Sequence, residues 1–265
     1  MFPKLVLAKK FLQYYLNASN GKGHGIHSPF VYQFVRDVLN DKKQYYPYTA
    51  IEERRKLLLK NETVIQVEDK GAGSTVSKSS QRRISDIARA ALKPRKYAQL
   101  LFRMVNFYQP KHILELGTSL GITTAYLAAA NPKAKVTTIE GSPALAAKAF
   151  EGFSRLDLLN INLLTGDFKD ALEPALEELS AVDLAFIDGN HRKAPTLEYF
   201  QHILRYSHAG TIVIFDDIHW SAEMEDAWES IKKHPAVTCT VDLFFLGLVF
   251  LKDDFRVPQH FSIRF

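Results

Sequence analysis

Cysteine is nearly absent: Cys239 is the one thiol in 265 residues. No disulfide can then tie the chain to itself, which excludes the stapled secreted scaffolds and points to a reducing compartment. No apolar run approaches the roughly 20 residues a membrane-spanning helix needs. The N-terminus, MFPKLVLAKKFLQYYLNASNGKG, carries lysines and a short apolar stretch but no clean small-residue cleavage site. It reads as an amphipathic helix rather than a secretory signal. There is no internal repeat and no low-complexity tract, which excludes solenoids and arrays. What is present is an ordinary globular mixture, 46% hydrophobic and 24% charged, enough for a substantial core without staples. The expectation is a soluble, cytoplasmic protein of one large domain or one domain with an extension.

The net charge of +5 is modest, but it is unevenly spread. Lys78, Arg82, Arg83, Arg89, Lys93, Arg95, Lys96 and Arg103 follow one another with Asp86 alone opposing them. Such a stretch either meets nucleic acid or an anionic substrate, or is a solvated helix face. No RNA-binding signature with interleaved aromatic residues accompanies it.

Composition and periodicity divide the chain near residue 95. Residues 1–95 read as a helical extension with little strand character. Pro29–Leu39 has helical spacing with proline at an early helical position. Residues 68–81 are rich in glycine and serine and predict a mobile loop. From residue 96 to 265, short strand-like runs alternate with helical segments: HILEL (112–116), KVTTIE (135–140), INLLTG (161–166), VDLAFID (182–188) and TIVIFDD (211–217). Such alternation means an α/β fold with a parallel sheet and helices on both faces. AVTCTVDL and GLVFLK follow with a short turn at Phe244–Phe245, so the sheet should end in a hairpin with one reversed strand. The expected architecture is a Rossmann-like, doubly wound, seven-stranded sheet.

In such a sheet, ligands bind at the carboxyl ends of the strands. After the first strand, Gly117 and Gly121 allow a tight turn and leave backbone N–H groups bare at a helix N-terminus, a place for a carboxylate or phosphate. Ser119 stands where a dinucleotide fingerprint needs its second glycine. Glu140 follows the second strand, about 20 residues on, where an acid can accept both hydroxyls of a ribose. After the third strand, Asp167 and Phe168 can meet an adenine by hydrogen bond and ring packing. Asp188 closes the fourth strand and Asp216–Asp217 the fifth. Three carboxylates at neighbouring strand ends repel one another unless one is protonated or a cation sits among them. An all-oxygen set suits Mg²⁺, Ca²⁺ or Mn²⁺.

Taken in order, ILELGTSLGITTAYLA, VTTIEGSP, LLTGDFKDAL, LAFIDGNHRK and GTIVIFDDIHW resemble the successive motifs of class I S-adenosylmethionine-dependent methyltransferases. The Glu-Leu-Gly-Thr-x-x-Gly sequence followed by Thr123 looks like the catechol and caffeoyl-CoA O-methyltransferase branch. The resemblance covers roughly residues 96–252. It implies a cofactor along the strand ends, its methionine end at Gly117–Gly121 and its ribose on Glu140. Glu115, Thr118, Ser119, Thr123, Gly141 and Ser142 match the surrounding motif positions, and Asp188 is placed to line the same pocket.

The resemblance also implies a divalent metal, Mg²⁺ foremost, held by Asp188, Asp216 and Asp217. Relatives of that branch carry Asp-Asn where this chain has Asp216–Asp217. Their catalytic base is a lysine three residues past the strand-four aspartate; here that position is His191, which titrates near neutrality and can substitute. Lys193 and His219 compete for the role. The leading expectation is therefore an O-methyltransferase acting on a hydroxyl of a small acceptor, aromatic ones included, with residues 1–95 covering the acceptor side. Its rivals are a methyltransferase of tRNA or other RNA using residues 78–103, and a non-catalytic S-adenosylmethionine-binding protein. A homodimer through the N-terminal helix is a further expectation.

Overall fold

The β-branched and leucine-rich runs become strands and the segments between them helices. The computed structural model describes residues 1–68 and 81–265; the loop expected over 68–81 lies, apart from its two end residues, outside them. Contacts gather the chain into two compact units, residues 42–179 and residues 1–41 together with 180–265. That grouping is drawn differently from the compositional change near residue 95.

In residues 42–179, β1 (Val64–Gln66) and β2 (Gln81–Arg83) form a small antiparallel pair. These strands correct the expectation of little strand character before residue 95. Three polar or basic residues such as Gln81–Arg83 show no apolar alternation from which a strand can be read. Then come β3 (His112–Leu116), β4 (Lys135–Glu140) and β5 (Ile161–Thr165), parallel and adjacent in that order. The helices Ile122–Ala130, Pro143–Arg155 and Phe168–Leu179 are the crossovers and pack on β4. Val136 and Ile139 of β4 are buried, each such side chain contributing about 1.5–3 kcal/mol.

The other unit holds β6 (Val182–Ile187), β7 (Ser207–Asp216), β8 (Cys239–Asp242), β9 (Leu246–Phe250) and β10 (Gln259–Ser262). β6 and β7 are parallel; β9 inserts between β7 and β8, antiparallel to both, and β10 runs parallel to β8. The reversed strand in a C-terminal hairpin is thus present. Apart from the β1–β2 pair, the strands of the two units number eight among the described residues, where seven were expected. The addition is β10, a short strand of alternating half-buried and exposed residues that carries no continuous apolar run. Trp228, Met224 and Ile231 line the buried face of the helix Ala222–Lys232, and Cys239 is buried in its strand.

The helix Lys4–Asn17 belongs to this second unit. Phe11 and Tyr14 pack on Phe244 at ring separations of 5.1 and 5.3 Å, and the Tyr14 hydroxyl donates to the Ile263 carbonyl. Beyond it the Ser19 N–H donates to the Ser262 carbonyl at 2.8 Å. The helix predicted over Pro29–Leu39 starts with Ser28 capping the Val31 N–H, and its last turn, Val35–Leu39, widens to π geometry. No described helix is long and apolar enough to cross a membrane.

Candidate functional site

The glycine turn after β3 is held mainly by main chain. Gly117 and Thr118 donate N–H groups to the Ile139 carbonyl at 3.0 and 3.3 Å. Gly117, Ser119 and Gly121 all take positive φ, +103°, +49° and +77°, which turns the chain sharply from strand into helix. A side chain at Gly121 is excluded twice over. Its φ disfavours one, and a Cβ there would stand 2.7 Å from the Phe153 ring.

Glu140 ends β4 and reaches this turn. One carboxylate oxygen accepts the Ser119 N–H at 2.7 Å and the other the Ser142 N–H at 2.9 Å. Burial raises the Glu140 pKa, and the N–H groups of Ser142, Ser119 and Gly141 oppose that shift by favouring the ionised form. The carboxylate is thereby fixed in orientation, and each oxygen keeps acceptor capacity for a further donor.

Glu115 lies deeper. Register places it beside Thr138, and its Oε2 accepts from the Thr124 and Thr138 hydroxyls at 2.5 and 2.7 Å. Thr138 in turn shares a 2.6 Å hydrogen bond with Thr118 in the glycine turn. Burial pushes the Glu115 carboxyl up to about 7, the two hydroxyls opposing. Its Oε1, the Ser119 hydroxyl and the Ser142 hydroxyl are buried without a hydrogen-bond partner among the described residues. Each orphaned group costs about 1–3 kcal/mol. Polar hydroxyls and ammonium groups of a bound ligand are what such atoms would satisfy, so these residues fit a nucleoside bearing an amino-acid tail. The other residues named for this ligand lie in the same unit. Thr123 is buried in the first turn of the helix Ile122–Ala130, Asp167 caps the N–H of Lys169 at 3.0 Å, and Phe168 is half-buried. Thr124 and Thr138 were not singled out from sequence. Their signal is register: Thr138 lies beside Glu115 and two residues before Glu140.

The second cluster lies in the other unit. The last paired rung of β6 and β7 sets Ile187 beside Phe215, so the next residues along are Asp188 and Asp216. Asp216 is buried at 2% exposure, Asp188 half-buried. After Asp188 the chain turns through Asn190 in the left-handed region (φ +51°), its amide donating to the Tyr199 hydroxyl at 3.2 Å. This turn brings the His191 Nε2 to 3.7 Å from an Asp188 oxygen. Ligand atoms of Asp188, His191 and Asp216 all lie within 4.8 Å of one another.

Asp217, expected as a third carboxylate here, is not one of the three. It takes a φ of +53° and donates its N–H to the Phe245 carbonyl at 2.7 Å. Among the described residues this is the group that gathers metal-binding atoms, and one imidazole with two carboxylates is chemistry that fits a divalent cation.

The competing bases are occupied. Lys193 Nζ pairs with Asp226 at 2.5 Å on the surface. His219 lies between Glu225, 3.0 Å from Nδ1, and Asp242, 2.8 Å from Nε2, stacked on Phe244. Burial pulls its pKa down, but the two carboxylates outweigh that and hold it above the usual value. The ring thus ties two carboxylates together within its own unit. Within the basic stretch, Arg83 pairs with Glu62, Arg89 with Asp86, Arg103 is buried, Arg95 and Lys96 are exposed, and Lys78 lies outside the described residues.

Residues 114–218 match the family described as a methyltransferase domain. A catechol O-methyltransferase of Niastella koreensis is 38% identical over 126 residues, 46% of this chain and 55% of that protein. A tRNA (guanine-N(7)-)-methyltransferase of Mycoplasma mobile is 34% identical over 76 residues, 29% of this chain and 38% of that one. The chain spans about half the length or less of these relatives. The SAH-bound crystal structure of a Podospora anserina methyltransferase shares the fold, with a TM-score of 0.58 at 15% identity over 96% of this chain and 98% of that chain. Residues 114–218 thus resemble a methyltransferase domain, the chain shares the Rossmann-like fold of the Podospora anserina structure, and its similarity extends to a catechol O-methyltransferase.

Proposed function

We propose that the protein is an S-adenosylmethionine-dependent O-methyltransferase acting on a hydroxyl of a small, aromatic acceptor, assisted by a divalent cation. The observation that carries the reading is Glu140, its two oxygens held by the Ser119 and Ser142 N–H groups at the glycine turn. A fixed carboxylate there accepts the paired hydroxyls of a ribose. The Ser119 and Ser142 hydroxyls and Glu115 Oε1 offer the remaining contacts. A buried acid also favours a positively charged ligand over a neutral one.

When bound, the cofactor supplies an electrophilic methyl group on a sulfonium, and a cation supplies a lowered pKa for the acceptor hydroxyl. The chain's own part is to position and to exclude water. Asp188, His191 and Asp216 are the groups for the cation. The acceptor oxygen would take the methyl group, and its proton would pass to solvent water. A chain with one cysteine, Cys239, and that one buried, suits a reducing, cytoplasmic setting.

The test is methyl transfer to a panel of catechols and related phenols, read by mass spectrometry with and without Mg²⁺ or Mn²⁺. Expected are methylated phenols, with turnover at least about 100-fold lower in Asp216→Ala. Methylation of tRNA but of no phenol would support the RNA reading instead. Cofactor binding with no acceptor turned over would support a non-catalytic one.

A further inference from the structure

Sequence position makes His191 a base; the geometry gives it another task. Its Nε2 stands 3.7 Å from the Asp188 oxygen, too far for a hydrogen bond. Two ligands of one cation, each about 2.1 Å from it, stand about 3.0 Å apart at right angles and about 4.2 Å apart when opposed. The 3.7 Å separation falls inside that range, and all three groups lie within 4.8 Å of one another, a bound about 0.6 Å above it that a small side-chain adjustment closes. Asp217, the acid that would have made the set all-oxygen, is not among them.

Resting on the metal reading above, we infer that His191 is a metal ligand rather than the base, and that the Asp188–His191–Asp216 set selects a transition dication such as Mn²⁺ over Mg²⁺. Carboxylates and water serve Mg²⁺, which strongly prefers oxygen. An imidazole nitrogen adds affinity along the transition series and little for Mg²⁺. The three groups occupy part of a six-coordinate shell and leave positions for water and an acceptor oxygen. An imidazole whose free nitrogen lone pair is on a metal has none left for a proton, so the two roles exclude each other.

The test is binding of Mn²⁺ and of Mg²⁺ to the whole chain by calorimetry, with pulsed electron paramagnetic resonance of the bound Mn²⁺. Expected are an Mn²⁺ affinity roughly 10-fold or more above that for Mg²⁺ and nitrogen modulation from one imidazole. In His191→Ala the nitrogen signal disappears and Mn²⁺ affinity falls roughly 10–100-fold, with Mg²⁺ affinity changed less. His191→Gln, which offers oxygen, loses the nitrogen signal and the Mn²⁺ preference, and decides the matter should the alanine variant fail to fold. Asp217→Asn leaves Mn²⁺ affinity within about two-fold. Bound Mn²⁺ without nitrogen modulation, equal affinity for the two ions, or unchanged binding in both His191 variants overturns the inference and leaves the metal reading standing. Failure of the wild-type chain to bind either ion overturns both.

Discussion

Around Glu140 the main chain builds the site: two N–H groups orient one carboxylate, and glycines set the turn that presents them. Around Asp188 side chains do so, and they meet through strand register and one left-handed residue, Asn190. The first kind of site is spelled by residue type, since few residues can replace a glycine of positive φ under an aromatic ring. The second tolerates a change of residue, as from the lysine that the resemblance implies to His191, because any side chain of suitable reach can enter. It follows that the Glu140 site should be intolerant of small changes, and the Asp188 site should be tunable.

The sharpest way to break that comparison is Gly121→Ala. The added Cβ meets Phe153 at 2.7 Å on a backbone of φ +77°, so strain and overpacking together should cost about 3–5 kcal/mol, read as a lower denaturant midpoint. A cost below about 1 kcal/mol would show that the turn is not so constrained.

A somewhat smaller effect should come from Glu115. Its folded pKa of about 7 exceeds the ordinary 4.5, so the folded state binds more protons between those values. Its contribution to stability is present below pH 4.5 and is lost as pH rises through about 7. Glu115→Gln removes that dependence. Relative to the variant, the wild type should lose up to about 3 kcal/mol between pH 4.5 and pH 8, measured by chemical denaturation of both. A difference independent of pH would mean that Glu115 ionises normally.

The sequence made the alternation of strands and helices legible, because buried parallel strands are short apolar runs. β3 and β4 have the bounds that HILEL and KVTTIE suggest. β10 and the β1–β2 pair were not legible, since short polar strands lack such runs. The glycine turn and Glu140 could be read from spacing alone. That Asp188 and Asp216 both follow the last paired rung could not, because it depends on Ile187 pairing with Phe215. Nor could the engagement of His219, which needs Glu225 and Asp242 from other segments of its unit.

The most direct measurement of the central claim is calorimetric binding of S-adenosylmethionine to the wild-type chain and to Glu140→Ala. Loss of a fixed acceptor for two hydroxyls predicts clear binding to the wild type and an affinity at least about 100-fold weaker in the variant, with circular dichroism unchanged. No binding to the wild type, or equal binding to both, would contradict the assignment of the glycine turn and Glu140 to this cofactor.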